Sequence, residues 1–116
     1  MIQGIHHIAL IVSSEESISF YQKLGFDEFK RIGRQYDTVV LMRGHGMGLE
    51  IFVDAKHPPR AHPEPLGLRH LALQVDDIEN LARTMEMDTG SIKTDWLGER
   101  YCLLADPDGN VIELHE

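Results

Sequence analysis

A chain of 116 residues, 42% hydrophobic and 26% charged, has the composition of an ordinary globular protein, and half that length would bury too little apolar surface to stand alone. Nineteen acidic against 11 basic side chains give a formal charge of −8, which repels phosphate backbones and anionic lipid and sets aside nucleic acid and membrane surfaces as partners. No run approaches the roughly 18 apolar residues of a bilayer span, the start lacks a basic-then-apolar leader, and the single Cys102 cannot form an internal disulfide, so a cytoplasmic protein with a buried, inert thiol is expected.

In chain order, residues 5–12 alternate with period two and predict a strand. Residues 15–24 carry Ile18, Phe20, Tyr21 and Leu24 at helical spacing and end at Gly25, which predicts a helix. Strands are predicted over 27–32, 37–42 and 48–53, broken by Gly33 and by the Gly44-His45-Gly46 turn. Residues 54–66 form a polar connector with prolines at 58, 59, 63 and 65, stiff enough to set how its two flanks face each other. His57, Arg60 and His62 in that connector are candidates for a lid, or for a plain surface loop. Beyond it come a strand at 68–75, a helix at 78–87, and strands at 92–94, 100–105 and 111–115, the last two joined by the turn Asp106-Pro107-Asp108-Gly109.

This order is a duplication. GIHHIALIVSSEE, starting at Gly4, aligns without a gap on GLRHLALQVDDIE, starting at Gly67, a shift of 63 residues. His7 falls on His70, and the same shift carries Glu50 onto Glu113, so each half has a His and a Glu 43 residues apart. The expected fold class is α+β, with module one at 1–53, the connector at 54–66 and module two at 67–116, all in one domain.

Alternation places Ile8, Leu10 and Val12 on the face that the helix covers and His7 on the other, and it does the same for His70. Glu50 and Glu113 are flanked by apolar residues and project with the histidines. Two imidazoles and two carboxylates make an N₂O₂ set suited to one divalent transition metal, Zn²⁺ or Ni²⁺ foremost and Co²⁺, Fe²⁺ or Mn²⁺ next, better than to Ca²⁺ or copper. His6, adjacent to His7, falls on the opposite face and is expected to be structural, as its counterpart Arg69 suggests.

HHIAL, SFYQKLGF, GLRHLALQVDDIE and DPDGNVIELHE together resemble the vicinal oxygen chelate superfamily, which includes glyoxalase I, methylmalonyl-CoA epimerase, extradiol dioxygenases and drug-resistance proteins. The resemblance spans nearly the whole chain. It implies two tandem βαβββ modules whose mixed β-sheet curves as a cup around the metal, usually in a homodimer, with His7, Glu50, His70 and Glu113 as ligands. That set is similar to glyoxalase I, which implies isomerisation of a small-molecule hemithioacetal or related α-hydroxycarbonyl through an enediolate, with Glu113 as the base and Glu50 as its symmetry mate. Glutathione-using members commonly have Arg four residues after the first His and Asn four after the first Glu; Ile11 and Asp54 stand there instead, and neither supplies the missing contact. Arg100, Tyr101 and Arg34 are the candidate substrate contacts. A metal-free ligand-binding protein and an extradiol-type dioxygenase are the alternative readings.

Overall fold

The structure, a computed structural model, describes all 116 residues. The chain divides into two compact units, Met1–Pro58 and Pro59–Glu116, with the break inside the proline-rich connector. No helix is long and apolar enough to cross a membrane.

The first unit runs β1 (His7–Val12), α1 (Glu16–Lys23), β2 (Asp27–Gly33), β3 (Thr38–Gly44) and β4 (Met47–Val53), with sheet order β1-β4-β3-β2. β1 is parallel to β4, and the other neighbours are antiparallel. A parallel pair needs a crossover, and α1 lies on it. Its buried Ile18 and Tyr21, with Phe26 and the strand residues Val12, Val40, Met42, Leu49 and Ile51, make this unit's core. The strand residues are those that alternation assigns to the helix side, which leaves the other face of the sheet for polar chemistry. Between β3 and β4, His45 and Gly46 both have positive φ, the backbone that a tight two-residue hairpin requires. The His45 ring also reaches back 2.7 Å to the carbonyl of Leu24 and closes the end of α1. β2 is an outer strand, exposed along its length and bulged between Glu28 and Lys30.

The second unit repeats the plan: β5 (Leu71–Gln74), α2 (Ile78–Thr84), β6 (Lys93–Thr94), β7 (Arg100–Ala105) and β8 (Val111–His115), in the order β5-β8-β7-β6 with β5 parallel to β8. Asp77 caps α2 by accepting a hydrogen bond from the Asn80 amide. Both units are therefore βαβββ, and the chain is α+β.

Several boundaries differ from the sequence expectation. The first strand of each unit starts later, at His7 and Leu71 rather than 5 and 68, where its parallel pairing begins: His7 pairs Gly48 and Leu71 pairs Ile112. α2 stops at Thr84, three residues before the predicted 87. Met85 and Met87 keep the apolar period going, but Glu86 turns to positive φ and the Met87 amide bonds back to the Ala82 carbonyl, a helix stop built without glycine. The second predicted strand of module two is shortened to Lys93–Thr94 by a 3-10 turn at Thr89–Ser91, which the Asp88 side chain caps.

The turn between β7 and β8 is held by Asp106, only 4% exposed. Its carboxylate accepts from the amides of Asp108 and Asn110 and from the Asn110 side chain, each at 2.9 Å. Asp106→Ala leaves these donors without their acceptor and is expected to lower stability by about 2 kcal/mol, measurable as a lower denaturant midpoint at unchanged slope.

Candidate functional site

In the first unit the β1/β4 register sets His7 across from Gly48 and Ala9 across from Glu50, so His7 and Glu50 are diagonal neighbours on one face. The residue facing each of them is small, which lets the two side chains lean together. His7 Nε2 stands 3.1 Å from Glu50 Oε2, with both side chains partly open to solvent. Glycine at 48 keeps this approach open: a Cβ there would lie a tight 3.2 Å from the His6 carbonyl oxygen and from the His7 Cβ. The other ring nitrogen, His7 Nδ1, is 2.8 Å from His6 Nδ1, and the two rings meet edge to face.

The second unit has the same register, Ala72 across from Glu113, and His70 Nε2 stands 3.9 Å from Glu113 Oε1. Arg69 takes the place of His6 and pairs with Glu64 at 3.6 Å. Two ligand atoms about 2.1 Å from one first-row dication, subtending about 90–110°, lie roughly 3.0–3.4 Å apart. The first pair falls inside that window, and the second needs only a small torsional change of a partly exposed side chain. The donor set in each unit, one imidazole and one carboxylate, thus fits a borderline divalent metal.

Around Glu50 the face carries Leu41, directly opposite on β3, and Phe52, two residues along β4. Arg34 lies with its guanidinium 5.3 Å from the Phe52 ring and 4.7 Å from the Tyr36 ring, and donates two 2.6 Å hydrogen bonds to Asp37. This pairing holds the Asp37 carboxyl below its ordinary range and raises the guanidinium. Arg34 therefore presents a flat stacking surface more than an unpaired charge. The departures from the glutathione-using pattern are placed as follows: Ile11 is half exposed on the His7 face, and Asp54 accepts from the Lys56 amide and pairs with His57.

In the second unit Tyr101 pairs with His115, and Leu103 with Glu113, so Tyr101 shares the Glu113 face. Arg100, one residue away, faces the helix side. It binds Glu79 of α2 and Glu116 at the helix–sheet junction, away from the Glu113 face, whereas the sequence reading names it with Tyr101 as a candidate substrate contact. The Arg100 hydrogen bonds hold Glu79 below its ordinary 4.5. A depressed folded value means that this contribution to stability is present above about 4.5 and is lost as pH falls through the folded pKa. Glu79→Gln is expected to flatten the acid limb of the curve of melting temperature against pH, read by thermal melts between about pH 3 and 6.

Cys102 is buried beneath this face; burial first, and the Glu113 charge second, push its thiol up, so it is a packing residue. A cluster not anticipated from the sequence lies on the same side: Asp95, Glu99 and His115 bring one potential ligand atom each within 4.8 Å of one another. His115 Nε2 is 2.9 Å from Asp95 and Nδ1 is 3.3 Å from Glu99, so a carboxylate faces each ring nitrogen. The Asp95 hydrogen bond first, with the charges of Glu99, Asp95 and Glu113, raises His115 above its ordinary imidazole value. The sequence did carry a signal for His115, which is two residues from Glu113 on a strand and hence on its face. Asp95 and Glu99, in a turn, gave none.

The family model of the Glyoxalase/Bleomycin resistance protein/Dioxygenase superfamily matches residues 4–114. The chain is similar to the uncharacterized protein YwkD of Bacillus subtilis, 35% identical with 100% of this chain and 98% of the relative covered. Its fold matches that of a glyoxalase family protein from Enterococcus faecalis with a TM-score of 0.87 at 32% identity, covering 98% of each chain. A fosfomycin resistance protein, FosX, from Listeria monocytogenes, complexed with Mn(II) and 1S,2S-dihydroxypropylphosphonic acid, shares the fold with a TM-score of 0.73 at 20% identity, over 99% of this chain and 93% of that one.

Proposed function

Since the chain belongs to the Glyoxalase/Bleomycin resistance protein/Dioxygenase superfamily, we propose that it is a divalent-metal-dependent enzyme of the glyoxalase I type, acting on a hemithioacetal or related α-hydroxycarbonyl. The observation that carries this reading is the twice-repeated imidazole–carboxylate pair, His7 with Glu50 and His70 with Glu113, with the two carboxylates held in equivalent strand register across from Ala9 and Ala72. These four side chains would hold the cation, Zn²⁺ or Ni²⁺ before Co²⁺, Fe²⁺ or Mn²⁺. When bound, the metal supplies Lewis acidity that lowers the energy of charge developing on the substrate oxygens.

The protein's own groups supply the rest. Glu113 takes a proton from one carbon and returns it to its neighbour, a general-base and general-acid role. Its side chain is 17% exposed against 30% for Glu50, so it is the carboxylate better shielded from bulk water. Tyr101 on the Glu113 face, and the stacked Arg34, Tyr36 and Phe52 on the Glu50 side, orient a small, flat substrate. Leu41, opposite Glu50, lowers local polarity. Exposed apolar side chains at Ile5, Leu68, Trp96 and Leu97 support a homodimer as the working assembly.

The test is metal content and activity of chelator-treated protein reconstituted with Ni²⁺, Zn²⁺, Co²⁺ or Mn²⁺, assayed with methylglyoxal and several thiols. Metal uptake with isomerase turnover supports the reading. Folded protein that takes up no metal and binds apolar ligands would instead be a sequestering module, and oxygen uptake with catechols would mark a dioxygenase.

A further inference from the structure

We propose that His6 is a positioning residue for His7: it accepts the Nδ1–H of the His7 imidazole and so fixes the tautomer whose Nε2 lone pair is turned toward Glu50 and available to a cation. The inference rests on the cation-binding reading of His7 and adds a residue that the repeat itself does not supply.

The geometry assigns the two nitrogens of His7 to different tasks. Nε2 is the atom 3.1 Å from Glu50, hence the one placed to bind metal. Nδ1 is 2.8 Å from His6 Nδ1, a distance at which one nitrogen carries hydrogen and the other does not. With a cation on Nε2, the proton of neutral His7 must sit on Nδ1, so His6 is the acceptor and carries its own proton on Nε2. A metal-bound imidazole whose second N–H is held by an acceptor is fixed in tautomer and orientation and is the more basic for it.

The acceptor is held by the fold. The His6 carbonyl takes a 3.0 Å hydrogen bond from the Gly48 amide, which extends the β1/β4 ladder one residue beyond β1 and fixes the His6 backbone beside the site. The missing side chain at Gly48 allows that approach. In the second unit the same place is taken by Arg69, a residue with donors only, paired with Glu64. The two halves are therefore unequal: His7 has an acceptor from its neighbour, and His70 does not.

The test uses the full chain with Zn²⁺ alone as probe. In zinc-loaded wild type, nitrogen NMR should show His7 protonated at Nδ1 and coupled through the hydrogen bond to His6 Nδ1. Competition titration should show His6→Ala weakening Zn²⁺ binding about tenfold. His6→Asn, whose Oδ1 sits near the position of Nδ1 and accepts, should recover most of the loss, and Arg69→Ala should change affinity less than about twofold, since Arg69 accepts nothing from His70. Wild-type zinc uptake with His7 protonated at Nε2, or with equal affinity in His6→Ala, overturns the His6 assignment and leaves the metal reading standing. Folded wild-type protein that takes up no Zn²⁺ overturns both. The NMR measurement needs no variant, so an unstable His6→Ala protein does not remove the test.

Discussion

Glu113→Gln is expected to retain the bound cation and to lose about 10²–10⁴-fold in turnover, the range that positioned proton transfer supplies. Glutamine keeps the shape of the side chain and an oxygen that can ligate, but its amide takes up no proton near neutral pH. Small Ala72 across the ladder leaves the replacement the same space, and the β7/β8 pairing to Leu103 is a backbone matter that the substitution does not touch. Metal content by elemental analysis and kcat on the same preparation separate the two roles. Turnover that survives with metal still bound would move the base elsewhere, to Glu50 in the first instance, and the matching Glu50→Gln protein tells the two apart.

The second large effect is on binding itself. His7→Ala removes an imidazole that no neighbour replaces, because His6 presents its ring nitrogen to His7 Nδ1 and not to Glu50. Metal affinity is expected to fall by more than about 100-fold, beyond the range seen for residues that only support a ligand. At free Zn²⁺ about 100 times the wild-type Kd, the wild type gains about 2.7 kcal/mol of stability by mass action, and the variant should gain almost none. Thermal melts with and without Zn²⁺ read this directly. Equal metal-induced shifts in the two proteins would remove His7 from the ligand set.

Much of the fold could be read beforehand because duplication doubles the signal. One alternating strand with a histidine is weak evidence, whereas two at a constant shift of 63 residues, each followed by a carboxylate at the same interval, fix strand order and facing together. The pairings Ala9 to Glu50 and Ala72 to Glu113 are the physical form of that arithmetic. Features set by loops and by rotamers stayed out of reach. Nothing in the sequence says that Glu86 will adopt positive φ and end α2 early. Arg100 next to Tyr101 looks like a substrate contact until the period-two rule is applied to its partners, which puts it against Glu79 of the helix. Strand alternation turns His6 away from His7; that rule weakens where the ladder begins, and His6 lies one residue outside β1, where its ring comes back to His7. The Asp95–Glu99–His115 cluster needed the turn before β7 to fold back on β8, a long-range event with no local signature.

The outer strand β2 has a consequence for how the protein behaves when crowded. An unpaired strand border is a template for runaway stacking of chains, and this one spells DEFKRIG, with its ladder kinked between Glu28 and Lys30 and Arg31 tied to Glu15 and Glu28. A newcomer laid along it would meet a broken hydrogen-bond rhythm and a row of fixed charges. That flank of the molecule is insulated against fibril growth, and the protection is written into the same seven residues that complete the sheet.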